Sequence, residues 1–156
     1  MEIERKFLVK KLPEDLAAYP CHQIEQGYLC TDPVVRIRRQ DHEYYLTYKS
    51  AGLMTRSEYN LPLNEDAYGH LKAKTDGNLI TKKRYCIPIS EYLNVELDIF
   101  EGAFTGLVVA EVEFGTTEEA QDFLPLDWFG DEVTWSPKYH NSTLSQADPA
   151  DYGLIV

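Results

Sequence analysis

The chain has 156 residues, 44% hydrophobic and 26% charged, a balance that belongs to folded proteins and excludes a disordered polymer. Twenty-six acids against 15 Lys and Arg leave a formal net charge of −11, which disfavours long nucleic acids, whose binding is driven by phosphate neutralisation. No apolar run reaches the roughly 18 residues of a membrane span, and the start MEIERKFLV is charged from its second residue, unlike a secretory leader. The expectation is one cytoplasmic domain, 1–156, without a membrane partner.

Taken in chain order, the pattern is mostly strand. Alternation predicts a first strand over 2–9, and Pro13-Glu14-Asp15-Leu16 opens a short helix with proline in its first turn. Strands follow over roughly 24–30, 34–40 and 43–49, punctuated by Thr31-Asp32-Pro33 and Gln40-Asp41-His42. Ser50-Ala51-Gly52 separates them from a strand over 55–61. Asn64-Glu65-Asp66-Ala67 starts a helix that runs to about Lys74, before the turn Asp76-Gly77-Asn78. Strands over 79–87, 93–100 and 107–114 come next, with Glu101-Gly102 between the last two. Thr116 or Thr117 caps a helix over 118–124 that Pro125 stops, and a last short helix spans 140–146. This is a mainly β (α+β) chain whose eight strands suffice to close a small barrel.

Familiar chemical signatures are missing. Cys21, Cys30 and Cys86 form no CxxC pair and read as reduced thiols. The four histidines are scattered, and neither a GxxxxGK[ST] loop nor a GxGxxG turn occurs. Any phosphate site must be built differently.

The charges supply one. Strand residues at i and i+2 share a face, and Glu2, Glu4 and Lys6 form such a file opposite Ile3 and Phe7. Arg36 and Arg38 repeat the spacing, as do Arg56 and Glu58, Lys82 and Arg84, Glu96 and Asp98, and Glu111 and Glu113, while Lys49 closes its own strand. A solvated sheet face also alternates, but it usually mixes Thr, Ser, Gln and Lys. Like neighbours such as Arg36/Arg38 and Glu111/Glu113 are unfavourable unless something binds them. Paired arginines suit phosphate oxygens, and paired carboxylates suit Mg²⁺ or Mn²⁺. Together they point to a metal–polyphosphate site inside a barrel, with helices and the tail Tyr152–Val156 covering the apolar outside.

Glu2-x-Glu4-x-Lys6 is followed in order by Gln26-Gly27-Tyr28-Leu29, Arg36-x-Arg38, Lys49, Arg56-x-Glu58, Lys82-x-Arg84, Glu96-x-Asp98-x-Phe100 and Glu111-x-Glu113. Over about residues 2–146 this resembles the CYTH domain of triphosphate tunnel metalloenzymes. The resemblance implies an eight-stranded antiparallel closed β-barrel, the tunnel, with short helices outside. It implies that Glu2, Glu4, Glu111 and Glu113 coordinate Mg²⁺ or Mn²⁺, that Asp98 is a further ligand, and that Glu58 and Glu96 support them or hold a second metal. It assigns triphosphate binding to Lys6, Arg36, Arg38, Lys49, Arg56, Lys82 and Arg84, and to Lys138 in the stretch Trp135-Ser136-Pro137-Lys138-Tyr139. Tyr28 is the implied proton acceptor, with Lys6 as its catalytic partner.

Short bacterial members that begin this way resemble inorganic triphosphatases. The expected activity is therefore metal-dependent hydrolysis of tripolyphosphate to pyrophosphate and phosphate. The alternatives are a class IV-type adenylate cyclase, a thiamine or nucleoside triphosphatase, and a non-enzymatic polyphosphate- or nucleotide-binding module. A thiamine site calls for an aromatic stacking platform, for which Trp128 and Trp135 are the candidates, but both read better as core or rim residues. The partner expected is a small triphosphate, with monomer and homodimer both open.

Overall fold

Period-two alternation gives each strand an apolar face and a charged face, and the fold turns the charged face inward. The structure, a computed structural model, describes residues 2–51 and 54–154. Among these residues there are ten strands: β1 (Glu2–Val9), β2 (Cys21–Thr31), β3 (Val34–Gln40), β4 (Glu43–Lys49), β5 (Thr55–Arg56), β6 (Glu58–Leu63), β7 (Asp76–Pro88), β8 (Asn94–Glu101), β9 (Val108–Glu113) and β10 (Phe129–Glu132). Three short helices join them: α1 (Glu65–Lys72), α2 (Thr117–Asp122) and α3 (Asn141–Gln146). The first predicted helix is a single 3₁₀ turn at Leu16–Ala18.

All eight predicted strands form, and neighbours pair antiparallel in the order β1-β9-β8-β7-β2-β3-β4-β6. The strand predicted over 55–61 breaks at Ser57. Its first part pairs with β1, Glu2 opposite Arg56, and its second with β4, Lys49 opposite Glu58. The break carries the ring back to its start and nearly closes the barrel. β10 was not expected from the sequence. Its four residues, Phe-Gly-Asp-Glu, lack alternation, and it pairs with β1 at Phe7 and Val9 on the edge that β5 leaves free.

The outward files form the larger core. Phe7, Val95, Leu97, Ala110 and Val112 are buried there under Ala120 of α2 and Phe129 of β10. Phe7 stacks on Phe129 at 4.7 Å between ring centroids. Thr116 caps α2, its Oγ1 accepting from the Glu119 N–H at 3.1 Å, as expected. α1 also lies outside, capped by Asn64 Oδ1 accepting from Ala67 N–H at 2.7 Å, with Tyr68 against Tyr44.

The inward files change character along their length. On β7 the inward series runs Arg84, Lys82, Ile80; on β8 it runs Asp98, Phe100; on β9 it runs Glu111, Val109. Ile80, Phe100 and Val109 join Tyr28 and Leu144 of α3 in a second core. α3 therefore differs from α1 and α2. It packs on inward-facing residues at one end of the barrel and closes that end with apolar side chains. Gly77 permits the approach: its φ is +68°, and an added Cβ would stand 2.0 Å from the Ser145 carbonyl oxygen. Tyr152 and Leu154 pack on this same inward-facing core and not on the outer apolar files that the tail was expected to cover, while residues 155–156 lie outside the described residues, as does Gly52 of the turn at 50–52. Among the described residues no helix is long and apolar enough to cross a membrane.

Candidate active site

Sheet register decides which charges meet. β1, β9 and β8 are adjacent, and their acids fall opposite one another: Glu4 faces Glu113, and Glu96 faces Glu111. Directly opposed like charges are unfavourable on their own, so this sector concentrates negative charge. The basic sector spans β7, β3, β4 and β5. Arg36 and Arg38 stand on β3, directly across from Tyr28 and Gln26 of β2. Lys49 and Arg56 complete it near Glu2, whose Oε1 lies 3.3 Å from Lys49 Nζ and 3.5 Å from Arg56 Nη2.

Between the two sectors lies a cavity of about 260 Å³. Of the predicted site residues, Glu2, Glu96, Glu111 and Glu113 line it from the acidic side, and Glu58 of β6 lines it among the bases, across from Lys49 and 3.8 Å from Arg36 Nη2. Lys6, Arg36, Arg38, Lys49, Arg56 and Arg84 line it with positive charge, and Tyr28 is exposed to it. Glu4 sits just behind, 7% exposed, with Oε1 3.3 Å from Arg56 Nη2.

Three predicted residues are placed differently. Asp98 and Lys82 are buried behind the lining. Asp98 takes Arg84 as a fork, Nε to Oδ1 at 2.7 Å and Nη2 to Oδ2 at 2.9 Å, while Lys82 Nζ stands 2.7 Å from Oδ2. Both carboxylate oxygens are thus engaged by cations. Lys138 is exposed, donates to the Asp151 carbonyl at 2.9 Å and lies over the Tyr152 ring, away from the cavity lining.

The cavity also recruits residues that motif reading did not single out. Gln40 continues the Arg36/Arg38 file by the same period of two and was legible on that ground. His140, Asn141 and Ser142 arrive from the start of α3, which no strand pattern announces. Asn141 Oδ1 accepts from Lys82 Nζ at 3.2 Å, and the Tyr139 carbonyl accepts from Lys6 Nζ at 3.2 Å. Lys6 also pairs with Glu111 at 3.3 Å.

The two sectors do not neutralise each other completely. Burial, then the charges of Glu111 and Glu2, push Glu4 up to about 8. Burial also raises Glu113, helped by Glu96. On the other side burial lowers Lys49 to about 8, with Arg36 adding to it, and lowers Lys82 to about 7. Burial and the cations Lys6 and Arg56 depress His140 to about 4. Burial opposes ionisation of Glu111 as well, but Lys6, Arg84 and Lys82 outweigh it and hold that carboxyl well below its ordinary range. Arg36 Nε and Arg56 Nε are buried without a hydrogen-bond partner among the described residues. Acids short of cations and bases short of anions thus coexist in one cavity.

That imbalance fits a hard divalent cation on the acidic wall. Oxygen donors are what Mg²⁺ and Mn²⁺ take, and an ion would relieve the opposed pair Glu4 and Glu113. Among the described residues, no three acidic or imidazole groups already form a closed cage, so the carboxylates present an open file.

Comparison with known proteins agrees with this geometry. The CYTH domain family model matches residues 1–148. An inorganic triphosphatase of Nitrosomonas europaea is 40% identical over 152 residues, covering 95% of this chain and 99% of that protein. An inorganic triphosphatase of Acetivibrio thermocellus is 37% identical, covering 92% of each. The crystal structure of an inorganic triphosphatase superposes with a TM-score of 0.73 at 36% identity, covering 94% of this chain and 95% of that one.

Proposed function

The chain belongs to the CYTH domain family, and we propose that it hydrolyses inorganic tripolyphosphate to pyrophosphate and phosphate with the help of Mg²⁺ or Mn²⁺. The observation that carries this reading is the cavity of about 260 Å³ with a carboxylate wall and a guanidinium–ammonium wall. A polyanion accompanied by a metal satisfies both walls at once, which neither an anion nor a cation does alone.

Phosphoryl transfer depends on positioning and charge neutralisation more than on covalent help. Arg36, Arg38 and Arg56 are the phosphate fork donors, and the unpaired Nε atoms of Arg36 and Arg56 are free to donate. Lys49 and Lys6 add point charges on the same cavity. Arg84, held by Asp98, adds positive charge on the cavity wall, and Lys82 contributes positive field from one layer back. Glu2, Glu4, Glu111 and Glu113 would hold the metal, with Glu58 and Glu96 beside them. The chemistry supplied by a bound divalent ion is neutralisation of phosphate oxygens and activation of water. Tyr28 and Lys6 line the same cavity, which supports Tyr28 as proton acceptor for the attacking water with Lys6 as its partner.

The lining favours a small inorganic substrate over one bearing a base. Neither tryptophan lines the cavity: Trp128 packs edge-on against Phe129 in the outer core, and Trp135 is exposed. Purified protein with Mg²⁺ or Mn²⁺ should release phosphate from tripolyphosphate faster than from ATP or thiamine triphosphate. Equal or reversed rates would overturn the substrate, and binding without metal-dependent product would return the protein to a binding module.

A further inference from the structure

We propose that Gln26 is a positioning residue for Tyr28: its side-chain amide, oriented by Arg38, fixes the Tyr28 hydroxyl as an acceptor and turns that hydroxyl's own proton toward the cavity. Gln26 is fully buried on β2 and lies directly across from Arg38. Arg38 Nε approaches Gln26 Oε1 at 2.9 Å, and Gln26 Nε2 approaches Tyr28 Oη at 2.9 Å.

The direction of both bonds follows from chemistry alone. A guanidinium has donors and no acceptor, so the amide oxygen must face Arg38. The usual ambiguity between amide oxygen and nitrogen is thereby removed. The amide nitrogen must then face Tyr28, and since it only donates, the phenolic oxygen accepts. Among the described residues Tyr28 Oη has no other hydrogen-bond partner, and the ring is 2% exposed. The remaining direction for its O–H is the cavity that Tyr28 lines, and that proton leaves to water in the cavity before the oxygen takes one from the attacking water. The pull of Arg38 on Oε1 polarises the amide and strengthens its donation.

This inference rests on the reading that Tyr28 meets the reacting groups, and its test separates the two. Initial rates with tripolyphosphate and Mg²⁺ are measured for the wild type, Gln26→Met, Gln26→Glu, Tyr28→Phe and the corresponding double variants. Gln26→Met keeps the volume without a donor. Gln26→Glu keeps an acceptor for Arg38 but, ionised, has no proton to give Tyr28.

Each Gln26 variant should lower kcat by about tenfold or more with KM changed by less than about threefold, the signature of an interaction realised in the transition state. In the Tyr28→Phe background neither should lower kcat by more than about twofold further, since residues acting through one another are not additive. If Gln26→Met fails to fold, Gln26→Glu decides. If Tyr28→Phe leaves kcat unchanged, the reading of Tyr28 fails and this inference falls with it. If Tyr28→Phe lowers kcat but the Gln26 effects are absent, or multiply with it, Tyr28 keeps its role and Gln26 is a structural amide.

Discussion

Glu4 is a buried carboxyl on the most acidic part of the barrel wall, opposite Glu113. Burial and its acidic neighbours hold its folded-state pKa near 8 against an ordinary 4.5, so the folded state binds a proton that the unfolded state has lost. The sign follows from linkage. Stability contributed by this group is fully present below about 4.5 and is lost as pH rises toward 8. Glu4→Gln should therefore gain in melting temperature relative to wild type as pH rises from 5 to 8 without metal, while turnover is abolished. A difference that stays flat with pH, or retained turnover, would contradict the assignment. Asp98 poses the opposite case: burial disfavours its charge, but Arg84 and Lys82 overcome this and lower its pKa. Removing one partner of such a buried cluster costs roughly 3–5 kcal/mol. Asp98→Asn should lower the melting temperature equally with and without Mg²⁺. A loss seen chiefly as weaker Mg²⁺ binding would restore Asp98 as a ligand. The charged files were legible residue by residue, but which acid each base neutralises was not, because strand register sets those partners.

At the scale of elements, the second position of each alternating pair matters as much as the first. Arg5 lies between Glu4 and Lys6 and points outward. It donates to Glu132 of β10 through Nε and Nη2 at 2.9 and 2.7 Å, and through Nη1 to the carbonyls of Ala120 and Phe123 at 2.8 and 2.9 Å. One guanidinium thus ties β1 to β10 and satisfies carbonyls at the end of α2, which has no basic residue in its last turn. Arg5→Ala should cost about 2–3 kcal/mol in denaturant unfolding, the range for charge-assisted bonds lost in a part-buried setting. Its kcat with tripolyphosphate should stay near wild type, and a collapse of kcat at unchanged stability would place Arg5 in the reaction itself. The eight strands and the helix caps were readable because alternation and cap residues are local. β10 was not, since its pairing is granted by the edge that the break at Ser57 leaves on β1. The start of α3 was read as a helix but not as cavity wall. His140 and Asn141 reach the site only because Gly77 lets that helix sit against the end of the barrel.

For the whole molecule, the net charge of −11 and the anionic substrate conflict only while charge is treated as one number. The site files named from the sequence contain seven acids and seven bases, so the entire excess of acid belongs to the rest of the chain. A tripolyphosphate approaching from solution first meets an acidic exterior and gains its attraction only inside. Exterior and interior respond to salt over different distances. The Debye length falls from about 30 Å at 0.01 M to about 10 Å at 0.1 M ionic strength, so the exterior field is largely removed over that interval, whereas partly buried contacts are screened much less. With Mg²⁺ held constant, kcat/KM for tripolyphosphate should rise by about twofold or more as KCl increases from about 10 to about 100 mM, the reverse of ordinary electrostatic steering. Above that range it should fall as the cavity contacts weaken in turn. kcat at saturating substrate should change little over the same rise, because the exterior acts on encounter and not on the bound complex. A kcat/KM that falls steadily from the lowest salt would mean that the basic wall already governs the field outside the barrel.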